Sequence, residues 1–164
     1  MKTAIILGTS RENGNTHKLV ELYRGYKCAD VFSLDDYSIS FYDYEHKNIG
    51  DDFLSLVEQL LKYDNLIFAS PVYWYSMSAQ MKVFFDRLSD LLTIDKQLGR
   101  KIKGKTCSVL ATGVDVKAPL CFEQPFILSV NYLGMNYQKM LYCSCADDFV
   151  EKEHSEKLHE FINA

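Results

Sequence analysis

The stretch Gly8-Thr9-Ser10-Arg11-Glu12-Asn13-Gly14-Asn15-Thr16 follows the apolar run Ala4–Leu7 and leads into a segment of helical spacing. Small, hydroxylic and amide residues at such a junction suit an anion. The free N–H groups of the next helix point at it, and the helix dipole adds about 0.3–1 kcal/mol, up to ~2 when partly buried. Ser10, Asn13, Asn15 and Thr16 supply candidate polar side chains and Arg11 a candidate charge for a phosphate. The loop has neither a G-x-G-x-x-G pattern nor a phosphate-loop lysine, and the alternative is an ordinary turn with Asn15 or Thr16 as N-cap.

A second loop, Ser70-Pro71-Val72-Tyr73-Trp74-Tyr75-Ser76-Met77-Ser78, sets three consecutive aromatics, including the single Trp, where an apolar run leaves the core. A planar heterocycle accounts for them, since ring stacking contributes roughly 0.5–1.5 kcal/mol beyond area burial and backbone N–H groups can face a polar ring edge. The alternative is a surface or dimer-interface aromatic patch. Thr112-Gly113-Val114-Asp115 is a weaker third loop, whose Gly permits close backbone approach.

These loops need elements to hold them. Short runs rich in β-branched residues at Thr3–Gly8, Ala29–Leu34, Asn65–Val72, Thr106–Gly113 and Met135–Cys143 predict strands. Leu19, Leu22, Tyr23 and Tyr26, then Phe53, Leu56, Val57 and Leu60, recur at helical intervals. A third helix is expected over Met77–Leu92, with Lys82, Asp86, Arg87 and Asp90 largely on its solvent face. A fourth near Leu120–Leu133 stops at Gly134, and a fifth covers Glu151–Ile162. Alternating strands and helices mean α/β. The continuous apolar runs Ala4–Leu7, Leu66–Ala69 and Val109–Ala111 suit strands buried on both faces, and the diluted last strand and short second suit edges. The expected fold is a flavodoxin-like three-layer sandwich around a five-stranded parallel sheet of order 2-1-3-4-5. In such a sheet a ligand lies beyond the carboxyl ends of the strands, at the switch point between the first and third, which is where flavodoxin holds FMN.

Composition narrows the function classes. The 164 residues are 48% apolar, which excludes a disordered chain and fits one domain spanning 1–164. A net charge of −4 disfavours nucleic acid and anionic lipid. No apolar run approaches the ~18 residues of a membrane span, and polar Thr9-Ser10-Arg11 comes too early for a signal peptide. Five cysteines, an odd number in a chain that needs no staples, indicate free thiols and a cytoplasmic protein.

Several other signals carry less weight. Gly99–Thr106 spells G-x-x-x-x-G-K-[ST], but that motif needs a strand followed by a helix, whereas this copy is expected to run from a helix into a strand. Cys143 and Cys145 have no neighbouring His or Cys in sequence to complete a tetrahedral metal set, so they are expected to be buried thiols and no metal is expected. His17 is expected at a helix start, and His154 and His159 on a solvated helix face.

The quoted loops resemble the flavodoxin-like NAD(P)H-dependent FMN reductases, a group that includes quinone reductases and iron–sulfur flavoproteins. GTSRENGNT is similar to the group's G-S-x-R-x-x-G-N-T loop. SPVYWYSMSAQMKVFFDR is close to its S-P-V-Y-W-x-S-M-S-x-x-x-K-x-x-x-D-R segment. The resemblance implies that Ser10, Arg11, Asn13, Asn15 and Thr16 hold the FMN phosphate, that Pro71, Val72, Tyr73 and Trp74 border the ring, and that Thr112 and Gly113 complete the pocket. It implies hydride transfer from NADPH or NADH through FMN to a quinone, free flavin or other small acceptor, in a homodimer. The flavin carries that chemistry, so no catalytic acid or base is assigned. Asp35–Asp51 contains no Cys where iron–sulfur members place a cluster, which argues against that cofactor; this aromatic and acidic stretch is a candidate lid or dimer contact. The competing readings are a flavodoxin-type carrier without nicotinamide activity and a non-enzymatic interaction module.

Overall fold

The computed structural model describes residues 1–163. Five strands, β1 (Thr3–Leu7), β2 (Asp30–Ser33), β3 (Asn65–Pro71), β4 (Thr106–Gly113) and β5 (Asn136–Ser144), form one all-parallel sheet in the order β2-β1-β3-β4-β5. The expected architecture and order are therefore present. β1 and β3 are buried along their whole length, as continuous apolar runs require, and β2 and β5 are the half-covered edges.

Alternation along the strands divides the core. Ile5, Leu7, Ile67, Ala69 and Leu110 face α1 (Asn15–Tyr26) and α7 (Glu151–Asn163), where Leu19, Val20, Tyr23, Leu158 and Phe161 close the layer. Ala4, Ile6, Leu66, Phe68, Val109 and Ala111 face the other side, against α2 (Phe53–Leu60), α3 (Ala79–Arg87) and α6 (Gln124–Tyr132). Each large apolar side chain so buried contributes about 1.5–3 kcal/mol. The stop at Gly134 is a Schellman motif: Gly134 has φ +76, its N–H donates to Asn131 O, and the Met135 N–H donates to Val130 O.

The helix expected over Met77–Leu92 is not continuous. Ser78 caps α3, its Oγ accepting from the Met81 N–H at 3.2 Å, so Met77 precedes the helix. The chain then breaks after Arg87 and resumes as α4 (Asp90–Thr93) and α5 (Lys96–Ile102). Arg87 and Asp90 are not on a solvent face. Both are buried, with Nε of Arg87 donating to Asp90 Oδ2 at 2.7 Å. The remaining Arg87 donors reach both oxygens of Asp51 and the Ser40 carbonyl, and the guanidinium lies 4.8 Å from the Phe53 ring centre. A charge that finds four acceptor oxygens on three residues and an aromatic face can be buried where helical periodicity alone would put it in solvent.

Gly99–Thr106 does run from a helix into a strand, α5 into β4. No helix among the described residues is long and apolar enough to cross a membrane.

Candidate active site

The carboxyl ends of β1, β3 and β4 open into a cleft of about 290 Å³. It is lined by Thr9, Arg11, Gly14, Asn15 and Thr16 on one side, by Pro71, Val72 and Tyr73 on another, and by Thr112, Gly113, Val114 and Cys145. This is the switch point of the sheet, where the chain leaves β1 and β3 toward opposite faces. Of the residues expected at the site, Arg11, Asn15, Thr16, Pro71, Val72, Tyr73, Thr112 and Gly113 come together here. Ser10, Asn13 and Trp74 lie outside the lining: Ser10 Oγ accepts from Gln80 Nε2 at 3.1 Å, and Asn13 is exposed.

The end of the cleft at the start of α1 is built from backbone. Gly14 holds the N-cap position of α1 with no side-chain cap bond, so neither Asn15 nor Thr16 is the cap. The first-turn N–H groups of Asn15, Thr16 and His17 have no acceptor among the described residues; the first backbone bond at this end runs from Lys18 N–H to Gly14 O. A cap with no side chain leaves the place of an anion open. The Thr16 hydroxyl is buried and lies 2.7 Å from that of Thr112, which ties the helix start to the end of β4.

The aromatic loop is a tight hairpin. The Tyr73 N–H donates to Ser76 O at 2.9 Å and the Ser76 N–H to Tyr73 O at 3.0 Å, leaving a two-residue turn of Trp74 (φ 48) and Tyr75 (φ 65). Positive φ at both central positions is the type I′ pattern, which favours Asn-Gly; bulky residues there store strain of order 1–3 kcal/mol each. Trp74 is 93% exposed, so the indole stands free at the edge of the cleft. The Val72 N–H is already spent on Thr112 O at 2.7 Å and that of Tyr73 on Ser76, so the Trp74 and Tyr75 N–H groups are the turn's donors without an acceptor among the described residues.

Gly113 is fixed by a close approach: a Cβ there would meet the Tyr142 hydroxyl at 2.6 Å, and that hydroxyl donates to Asp115 O at 2.7 Å. The profile of the NADPH-dependent FMN reductases matches residues 1–143. A protein of Bacillus subtilis (strain 168), YwqN, named as an NAD(P)H-dependent FMN-containing oxidoreductase, is 33% identical over 150 residues, 84% of this chain and 82% of its own. The chain belongs to the NADPH-dependent FMN reductase family. As a family member it is an FMN-dependent NAD(P)H oxidoreductase that passes electrons to a small-molecule acceptor. The structure of a Trp repressor binding protein from Bacillus subtilis superposes with a TM-score of 0.79 at 25% identity, covering 99% of this chain and 98% of that one. General stress protein 14 of Treponema denticola, solved with FMN, superposes at 0.68 and 17% identity over 99% and 96%; at that identity the likeness is one of fold.

Sequence reasoning missed Cys145 and His154. Cys145 lines the cleft, and its Sγ lies 3.7 Å from Nε2 of His154, which is buried rather than solvated. Strand order held the signal, because β5 beside β4 brings its carboxyl end to the same rim. Burial raises the Cys145 thiol above its ordinary value, with Lys18 opposing. Burial also lowers the His154 imidazole, with Lys157 adding to the effect. The Asp35–Asp51 stretch contributes nothing to the cleft lining; Ser40 and Asp51 fasten it to Arg87 of α3.

Proposed function

We propose that this cleft holds the FMN, with the phosphate at the uncapped start of α1 and the ring between the Pro71–Trp74 and Thr112–Gly113 edges. The observation that carries the reading is the set of unpartnered first-turn N–H groups beside Gly14, opening into a cleft at the sheet's switch point. The residues fit the group chemically: converging N–H donors and Arg11 for a dianion, apolar Pro71 and Val72 with Tyr73 for a ring. Ser10 and Asn13, outside the lining, and Trp74, exposed at its edge, belong to the proposal as residues that approach once a ligand extends past the cleft.

When bound, the flavin supplies hydride acceptance from NADPH or NADH and onward transfer to a quinone, free flavin or other small acceptor. The chain's own part is positional. Thr16 and Thr112 fix the distance between helix start and strand end, and the Trp74 N–H is a preorganised donor for a ring edge that gains negative charge. No side chain in the cleft is placed as an acid or base. The unit is one flavin-binding domain over 1–164, a cytoplasmic protein on the strength of five free thiols, two of them exposed. A homodimer accounts for the exposed Phe41 and Tyr44 of the Asp35–Asp51 stretch and for Leu128 and Tyr132 on α6.

The test is the visible spectrum of purified protein after FMN addition and gel filtration, followed by anaerobic NADH or NADPH. Retained flavin bleached by nicotinamide is the expected result. Retained flavin that ignores both nucleotides would mean a carrier. A mass in solution scattering that stays monomeric at all concentrations would refute the dimer.

A further inference from the structure

The mechanism above leaves two buried polar groups without a task. Cys145 follows β5, is 6% exposed and forms part of the cleft wall. Its N–H donates to Gly113 O at 2.7 Å, so the residue is pinned to the ring end of the site rather than hanging from a loop. Behind it stands His154 of α7, 1% exposed, with Nε2 3.7 Å from Sγ and Nδ1 lacking any hydrogen-bond partner. A buried imidazole with one nitrogen unpartnered among the described residues is costly, and a core position that needed only packing would be cheaper with a Leu. Phe149 walls the imidazole edge to face, its ring centre 4.6 Å away, which keeps His154 on the thiol. A nucleophile within reach of an oriented base is the arrangement of an activated thiol.

We propose that Cys145 and His154 form a peroxide-reactive pair on the wall of the flavin cleft, and that oxidation of Cys145 and binding of FMN exclude one another. The second half rests on the placement of FMN proposed above. The oxidant class follows from access, because a thiol this covered admits a small hydroperoxide more readily than a bulky electrophile. Both partners are held neutral by burial, so His154 acts by taking the thiol proton as sulfur attacks rather than by holding a standing thiolate. The S–O bond forms as the O–O bond breaks. Sulfur loses two electrons to give a sulfenic acid, peroxide is reduced by two, and the proton carried by Nε2 passes to the departing hydroxide, which leaves as water. The added oxygen enlarges a residue in the wall that the cofactor would touch.

The experiment treats FMN-free and FMN-loaded protein with hydrogen peroxide, removes the excess peroxide, unfolds the protein in dimedone so that every sulfenic acid is reached, and measures the adduct on each cysteine by peptide mass spectrometry. The buried thiols Cys107 and Cys143 serve as internal references. The expected result is an adduct on Cys145 of the FMN-free protein well above both references. It should fall by about tenfold or more with FMN bound and by a similar factor in His154→Asn, and peroxide should impair FMN uptake by wild type but not by Cys145→Ala. An adduct on Cys145 no greater than on Cys107 and Cys143 would overturn the pair, whatever the flavin does. An unchanged adduct in folded His154→Asn would remove the base. FMN retained on gel filtration with Cys145 still fully reactive would overturn the exclusion and put the flavin elsewhere, leaving the reactive pair intact. Should His154→Asn not fold, the wild-type comparisons alone decide.

Discussion

The hydroxyls of Thr16 and Thr112, 96 residues apart in sequence, lie 2.7 Å from one another in the floor of the cleft. Only one can donate, so the acceptor's own proton is left to point at something else. Thr16→Val deletes the contact and strands the Thr112 hydroxyl, 3% exposed. Urea unfolding without FMN should show a loss of about 1–3 kcal/mol. Titration should show FMN weakened by roughly 1.5–3 kcal/mol, the range for a hydrogen bond to a charged group. Lower stability with unchanged affinity would make Thr16 a strut and not a ligand.

The Trp74-Tyr75 turn holds two bulky residues at positive φ with exposed rings, so its strain has no offset within the chain. Replacing the pair by Asn-Gly should raise the stability of the FMN-free protein by roughly 1–2 kcal/mol, because those residues suit the turn. The same change should weaken FMN, since a stacking ring contributes about 0.5–1.5 kcal/mol. Thermal unfolding and flavin titration of the one double variant check both. A variant no more stable than wild type would show that the turn is not strained.

How far the sequence reached follows from where its rules apply. Strand order was legible because Ala4–Leu7, Leu66–Ala69 and Val109–Ala111 carry no polar residue and must be central, while β5 mixes Asn136, Gln138 and Lys139 with apolar residues. Gly134 was legible because a helix stop of that kind asks for positive φ. Arg87 and Asp90 were not, since helical periodicity assigns charges to solvent and cannot show that the chain has folded Asp51 across the helix end. His154 was misplaced for a different reason: it stands four and seven residues before Leu158 and Phe161, on the one apolar face of α7, but the many charged residues of that helix masked the spacing.

Among the described residues Arg87 is the one cation shared by buried Asp90 and nearly buried Asp51. Arg87→Met should therefore cost about 3–5 kcal/mol, the penalty for leaving buried charge uncompensated. Arg87→Lys should not restore it, because one ammonium cannot reproduce the planar fork that serves both carboxylates and the Ser40 carbonyl. Hydrogen exchange should rise first over residues 38–52, the segment that the guanidinium fastens. Uniform loss of protection instead would place the knot in the global core.

Acid should act in two separable stages. His154 has its imidazole pushed below the ordinary 6.5, first by burial and then by Lys157, so the unfolded chain binds more protons than the folded one between those values. The stability linked to His154 is complete above about pH 6.5 and declines as pH falls through the folded value. Asp51 behaves alike in a lower window. Burial opposes its ionisation, but the Arg87 guanidinium and the N–H groups of Ser40 and Phe53 outweigh it and hold the carboxyl below the ordinary 3.8. Its contribution is intact above about pH 4 and is lost as pH falls further. Urea midpoints from pH 8 to pH 3 should therefore decline first below 6.5 and again below 4. His154→Asn should flatten only the first decline and Asp51→Asn only the second, each from a lower starting stability. A profile with no change between pH 7 and pH 5 in wild type would show that His154 is as free to take a proton folded as unfolded.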